Sequence, residues 1–292
     1  MANNDGKDYA VEKLKALLVV ALEKFLRVKV LRNETWNFLL RFEPANLKIL
    51  RWSRLPEGDF FGLRAFILEH VRESPSQLQQ DLVAQFIVSK SRRVFDSKKL
   101  PFYVEIGAND GVYLSNTLIL QESFGWRGIL SEANDLLREE LAANRKGALI
   151  DSRAVTKKTG EKVVFHMSEN SEFSSIDGSS IQKNQFINSR KTVKDTICLT
   201  DLLKHFDAPS VIDFLSVDTE GSEFEILCGL DFSLYRFNFI AVEVSRNSNE
   251  IAELLTLHAY KQILQEVSRW DQWWVDASLF EELEKTELSL LP

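Results

Sequence analysis

The chain predicts an α/β fold: a mostly parallel, doubly wound, Rossmann-like sheet preceded by a helical N-terminal region. Three features of its 292 residues lead there. Apolar runs of strand length alternate with helix-compatible segments from Pro101 onward. The first run, Phe102–Ile106, ends in the glycine-bracketed turn Gly107-Ala108-Asn109-Asp110-Gly111, and the helix-compatible Ser115–Leu120 follows. Polar residues stand directly after most of the apolar runs, where doubly wound sheets bind their ligands.

The elements follow in order. Residues 1–98 read as a helical region. Val11, Leu14, Leu18, Ala21, Leu22 and Phe25 recur at helical spacing, opposite Lys13, Lys15, Glu23 and Lys24. Such a stripe packs into a core or, as the alternative, makes peripheral contact with a membrane surface. A second helix is expected over about 38–52, with Pro44 near a start or break. Leu55-Pro56-Glu57-Gly58 reads as a turn. Another helix opens at about Ser76, capped by Ser74 or Ser76. The second domain is set at 99–292. Its strands are expected at 102–106, 126–132, 148–152 running on toward Val155, 211–218 and 239–244, with a final pair in 261–275. Helices are expected at 136–145, 200–206, 222–230 and 249–259. Residues 162–166 read as the hairpin partner of the third strand across Lys158-Thr159-Gly160, and 168–194 as a long polar loop.

Composition narrows the function. A formal net charge of −7 repels nucleic acid, so no nucleic-acid partner is expected. The longest N-terminal apolar run, Ala16–Leu22, is cut by Glu23-Lys24 without a cleavage site, and no run reaches bilayer length. Cys198 and Cys228 are too few for a zinc site or disulfide framework and read as buried free thiols. A reducing, cytoplasmic setting is the expectation.

The first turn carries the chemistry. It has neither G-x-G-x-x-G nor G-x-x-x-x-G-K-[ST]. A pyrophosphate cradle would not set Asp110 against phosphate charge. A cradle for a cationic ligand can, and S-adenosylmethionine (SAM) carries an ammonium and a sulfonium. Glu132 lies 21 residues after Gly111 at the next strand end, where a doubly wound fold puts the carboxylate that takes ribose hydroxyls. Asp218-Thr219-Glu220-Gly221-Ser222-Glu223 holds three carboxylates on a strand-to-helix turn. Asp218 and Glu243 are the best-placed proton acceptors by strand-end logic, with Glu220 beside them. The same carboxylates suit a hard divalent cation, and the sequence leaves the two uses open. Glu223 is assigned to the helix dipole alone. His166, His205 and His258 have no ligand-like spacing and read as structural. Trp270, Trp273, Trp274 and Phe280 suit a pocket wall, although packing is the commoner use of such aromatics.

These segments resemble one family in several motifs and in the right order. They are Gln77–Leu82, Tyr103–Gly111 with Ser115-Asn116-Thr117, Gly125–Glu132, Glu172–Asp177 and Ile212–Phe224. Together they are similar to FkbM-type SAM-dependent methyltransferases over roughly 76–275. The resemblance implies a class I methyltransferase fold, SAM as methyl donor, and O-methylation of a sugar, glycan or small-metabolite hydroxyl. It implies Glu105, Gly107, Asn109, Asp110 and Gly111, with Asn116, around the methionine moiety, and Glu132 on the ribose. Ser152, Arg153 and Ala154 would approach the adenine. Asp218 and Glu220 would face the acceptor, with Ser174 and Ser175 on a loop contacting it. Ala133 stands where many relatives have proline, and Val244 where many have histidine. Two other readings stay on the page: a non-catalytic scaffold that keeps the fold, and a nicotinamide-dependent oxidoreductase, which the acidic first turn disfavours.

Overall fold

The computed structural model describes residues 45–53, 62–91, 99–167, 175–176, 190–244 and 247–288. The apolar stripe at 11–25 and the turn at 55–58 lie outside them. The chain divides into two compact units, 1–73 and 74–292, so the helix expected after Ser76 falls in the second. In the first unit, α1 (Ala45–Ser53) and α2 (Leu63–His70) bury Trp52, Leu63 and Ile67.

The second unit opens with α3 (Gln80–Lys90) and then alternates as expected. β1 (Phe102–Ile106), α4 (Leu118–Glu122), β2 (Arg127–Ser131), α5 (Arg138–Asn144) and β3 (Leu149–Asp151) form its first half. β4 (Ala154–Thr156), β5 (Lys162–Met167), β6 (Ser175–Ile176) and β7 (Arg190–Cys198) follow. α6 (Leu199–His205), β8 (Val211–Val217), α7 (Glu223–Cys228), β9 (Arg236–Glu243) and α8 (Ser248–Leu257) come next. β10 (Tyr260–Ile263), α9 (Gln265–Ser268), β11 (Asp271–Asp276) and α10 (Ala277–Leu288) complete the order.

Seven strands make the main sheet, in the order β10-β11-β9-β8-β1-β2-β3. β3, β2, β1, β8 and β9 pair in parallel, while β11 runs antiparallel to both β9 and β10. This is the doubly wound, Rossmann-like architecture of class I methyltransferases. Strand alternation builds the core. Val104, Ile106, Leu215, Val217, Ile240, Val242 and Trp274 face Leu202, Leu203, Ile226, Leu227, Ile251 and Leu255. The opposite face carries Tyr103, Phe214, Phe239 and Trp273, all fully buried, and α3 packs on β8 and β9. Phe239 stacks on Phe214 at 5.2 Å between centroids and meets Trp273 edge-on at 6.3 Å.

Four sequence expectations are corrected. The third strand does not run on to Val155: β3 belongs to the main sheet and β4 to a second sheet, ordered β4-β7-β5-β6. Asp151 ends β3 by accepting the backbone N–H and guanidinium of Arg153, which bends the chain there. β5 is not a hairpin partner of β4, because β7 lies between them, parallel to β4 and antiparallel to β5. Residues 190–194 are therefore strand, not loop; alternating polar and apolar residues hid a strand whose outer face is solvated. Cys228 is exposed, because it ends α7 on its outer side; Cys198 is half-buried, and both are free.

Candidate active site

Between β1 and β8 the sheet's winding reverses, which opens a crevice at the carboxyl ends of those strands. The first turn sits there. Gly107 has φ 88°, and a Cβ on it would lie 1.7 Å from the Asp218 carbonyl oxygen, so only glycine fits. Asp218 N–H in turn donates to Ile106 O at 3.0 Å. The loops after β1 and β8 are thus in direct backbone contact.

Asp110 organises the turn from within. Its Oδ1 accepts the N–H groups of Val112 and Tyr113 at 2.8 and 2.7 Å. Asn109, at φ 52°, accepts the Asp110 N–H on its own Oδ1 at 2.7 Å. Gly111 backs onto Arg145, whose Cγ would be 2.5 Å from an added Cβ. Arg145 is fully buried under the turn. Its Nη1 donates to Gly111 O and Ser115 Oγ, its Nη2 to Tyr103 OH and Thr117 Oγ1, and its Nε to Gln121. The Glu105 carboxylate, 3.7 Å from Nη1, accepts from Ser115, Thr117 and the Asn116 N–H. Burial pushes the Glu105 carboxyl up, and Arg145 and these donors pull it back. Glu105 therefore anchors the segment after the turn.

Asn116 links three elements. Its side chain accepts from Ser76 Oγ at 2.8 Å and donates to Ser216 Oγ on β8 at 2.9 Å. Ser76 Oγ also accepts the Gln80 N–H at the start of α3. Gln80 donates to Asp271 Oδ2 at 2.7 Å, at the start of β11.

Glu132 stands beside the turn. Its Oε2 accepts the Asn109 N–H at 2.9 Å and its Oε1 the Asn134 N–H at 2.7 Å. A carboxylate offers about four lone-pair sites, so each oxygen keeps capacity for a ligand hydroxyl. Burial raises its pKa to about 7 against those bonds and nearby Lys194. Ser152 and Arg153 bridge β3 and β4, and Ala154 is buried in β4. Lys194, reaching from β7, donates to Asp135 Oδ1 at 2.6 Å and Ser152 O at 3.2 Å. It ties the second sheet to the loops after β2 and β3.

Asp218, Glu220 and Glu243 come together at the ends of β8 and β9, half-buried, with one carboxylate oxygen of each within 4.8 Å of the others. Glu220 holds φ 58° before Gly221 at φ 115°, which turns its side chain back toward Asp218. Glu223 does more than complement a helix dipole. It is buried, and its Oε1 accepts the N–H groups of Thr219 and Gly221, fixing the loop that carries the trio. The Glu243 carboxyl is raised well above the usual range, first by burial, then by the charges of Asp218 and Glu220. Its Oε2 is buried without a hydrogen-bond partner. Three carboxylates this close together can take a proton from a hydroxyl or hold a divalent cation. Ser175 lies in β6, paired with His166, and Ser174 is outside the described residues. Trp273 and Trp274 are core residues, while Trp270 is half-buried at the carboxyl edge.

Sequence reasoning missed Arg145, Lys194, Ser76, Gln80 and Asp271. Arg145 and Lys194 read as ordinary charges of a helix and a polar loop. Ser76 was read only as a helix cap, and Gln80 only as part of a segment carrying the family resemblance.

The sheet order, the acidic phosphate-free turn and the carboxylates at two neighbouring strand ends define a class I methyltransferase. More narrowly, the chain belongs to the FkbM methyltransferase family: the model of the methyltransferase FkbM domain matches residues 105–273, more than half of it. No protein with a curated description matches the chain. Among solved structures it is similar to the N-terminal domain of human METTL16 in complex with SAH, at 14% identity over 84% of this chain and 98% of that one, with a TM-score of 0.39. It is also similar to precorrin-6y C5,15-methyltransferase from Geobacter metallireducens GS-15, at 13% identity over 62% and 72%, with a TM-score of 0.34. Likenesses of this size carry no inference about substrate.

Proposed function

We propose that the protein is a SAM-dependent O-methyltransferase acting on a hydroxyl of a sugar, glycan or small metabolite. The observation that carries this is the contact between the first turn and the carboxylate trio. Gly107 abuts the Asp218 backbone, so a donor held by the turn has its reacting end beside Asp218, Glu220 and Glu243. The donor set suits SAM. Asp110 and the open lone pairs of Glu132 favour a cation and a ribose, and no phosphate cradle competes.

When bound, SAM supplies an electrophilic methyl on sulfur. The chain's own residues would do the rest. Gly107, Asn109, Asp110 and Gly111 would hold the methionine end, on a frame set by Glu105 and Asn116. Glu132 would take the ribose, and Ser152, Arg153 and Ala154 would flank the adenine. One of Asp218 and Glu243 would receive the acceptor's single hydroxyl proton as its oxygen bonds to the methyl carbon and the methyl–sulfur bond breaks, the demethylated thioether being the leaving group. Raised basicity in Glu243 suits it to that task. Glu220 would orient the hydroxyl, and Ser174 and Ser175 would contact the acceptor from the segment after β5. Were a divalent cation used, the same three carboxylates would hold it and the acceptor oxygen would lose its proton more easily.

The test is a hydroxyl-acceptor screen with labelled SAM. Wild type should transfer label to oxygen, and Asp218→Asn should bind SAM normally but turn over about 10²-fold more slowly, the usual weight of a general base. Added Mg²⁺ or EDTA reads the cation. Undiminished turnover in the variant would remove Asp218 from the chemistry. SAM binding without transfer to any acceptor would favour a scaffold instead.

A further inference from the structure

One cation of the second sheet reaches the loops after β2 and β3. Side chains alternate along β7, and Lys191, Val193 and Asp195 face solvent. Lys194 lies on the other face, across from Val163 of β5, and is buried. An ammonium keeps its charge under burial only with partners. Here the partners belong to two loops. Asp135 begins the short 3-10 helix after β2, three residues past Glu132, and Ser152 stands between β3 and β4. The β2–β3 ladder ends where Glu132 N–H donates to Asp151 O at 3.0 Å. Beyond that point Lys194 carries the link between the loops, at 2.6 Å to Asp135 Oδ1 and 3.2 Å to Ser152 O.

Stability gives little reason for a charge at this place. The Asp135 carboxylate is half-exposed, so water screens the pair, and such pairs contribute little. An apolar side chain often fills a buried position equally well. What the ammonium adds is a charge near Glu132, whose carboxyl it draws down against burial. The other charged groups of the adjoining loops are engaged. Asp135 accepts from Lys194 itself, Asp151 pairs with Arg153, and Asp110 Oδ1 takes the N–H groups of Val112 and Tyr113. The direct partners of Glu132 are neutral: the backbone N–H groups of Asn109, Asn134 and Ala133.

We propose that Lys194 is a positioning residue for the nucleoside half of the methyl donor: it fixes the loops after β2 and β3 as two sides of one adenosine site and sets a positive charge near the carboxylate that takes the ribose hydroxyls. An ionised Glu132 accepts hydrogen bonds from both hydroxyls, whereas a protonated one has lost acceptor capacity. With its pKa at about 7, Glu132 gives up its proton as pH climbs through neutrality, so nucleoside binding tightens over that range. Taking away the Lys194 charge moves this rise to higher pH. The second sheet, which a doubly wound fold does not need for a cofactor site, thereby takes part in binding one. The assignment rests on the SAM reading above and adds to it the residue that sets the pH response of the donor site.

Calorimetric titration of the full chain with 5′-methylthioadenosine at pH 6 and pH 8.5 tests it, because that neutral nucleoside has no group that titrates between the two. SAM titrated alongside reports the donor reading by itself. Wild type should bind the nucleoside several-fold more tightly at pH 8.5 than at pH 6. Lys194→Met should weaken binding about tenfold at pH 6, the equivalent of about one pKa unit, and much less at pH 8.5. Lys194→Arg keeps the charge and should restore the wild-type pH dependence. The assignment is overturned if wild-type affinity does not change with pH, if Lys194→Met loses equally at both pH values, or if both variants bind undiminished. When wild type binds SAM, any of these results removes Lys194 and leaves the donor reading standing. If wild type binds neither SAM nor the nucleoside, the donor reading itself falls and the assignment with it.

Discussion

At the scale of single residues, Arg145 supports more of the site than any residue its sequence context suggests. It is a buried charge whose donors reach Gly111, Ser115, Thr117, Tyr103 and Gln121, beside buried Glu105. Removing one partner of a buried pair strands the other, at about 3–5 kcal/mol. Arg145→Met should therefore lose about that much stability in urea titrations, and Arg145→Met with Glu105→Gln should recover part of it. An equal loss in the double variant would mean that packing, not charge, sets the effect. Gly107→Ala is the backbone counterpart. Its Cβ cannot coexist with Asp218 O, so more than ~2 kcal/mol of stability should go, with SAM binding lost beside it in calorimetry. Asp218, Glu132 and Glu243 were legible because each follows an apolar run, and strand ends in this fold point at the ligand. Arg145 and Lys194 were not, because a charge on a helix or in a polar stretch reads as solvated until tertiary contacts close over it.

Among the elements, the start of α3 joins the two halves of the site. Ser76 reaches Asn116 behind the first turn, and Gln80 reaches Asp271 at the head of β11. Gln80→Leu would leave the buried Asp271 carboxylate short of a donor, costing about 1–3 kcal/mol. Hydrogen exchange should then speed up at the start of β11 while β1 and β2 stay protected. Uniform acceleration would show that α3 acts on global stability alone. β1, β2, β8 and β9 were readable because strands buried on both faces are continuous apolar runs. The second sheet was not. β4 and β5 carry a plausible turn between them, at Lys158-Thr159-Gly160, and nothing local reveals that β7, about thirty residues on, inserts between them. The helix Ala277–Leu288 was unforeseen as well.

Across the whole molecule, the fold gathers carboxyls whose pKa burial pushes upward. Burial raises Glu105, Glu132, Asp213, Glu223 and Glu243, with Glu132 at about 7. A raised carboxyl binds more protons folded than unfolded, so stability falls as pH climbs from the ordinary carboxylate range to the folded pKa. Asp276, held down in part by Ser278 and Arg236, acts the other way, and only below that range. Thermal melts of the ligand-free protein should thus show a lower Tm at pH 8 than at pH 5.5, and Glu132→Gln should flatten part of that slope. A rising Tm would mean these carboxyls are ionised without penalty. Among the described residues, no helix is long and apolar enough to cross a membrane. The central claim is that the acidic turn after β1 cradles SAM and not a dinucleotide, and calorimetric titration of the purified chain with SAM and, separately, NADH tests it most directly. Binding of SAM in the micromolar range, weakened by Asp110→Ala and with no heat from NADH, is the result predicted; binding of NADH in place of SAM would contradict it.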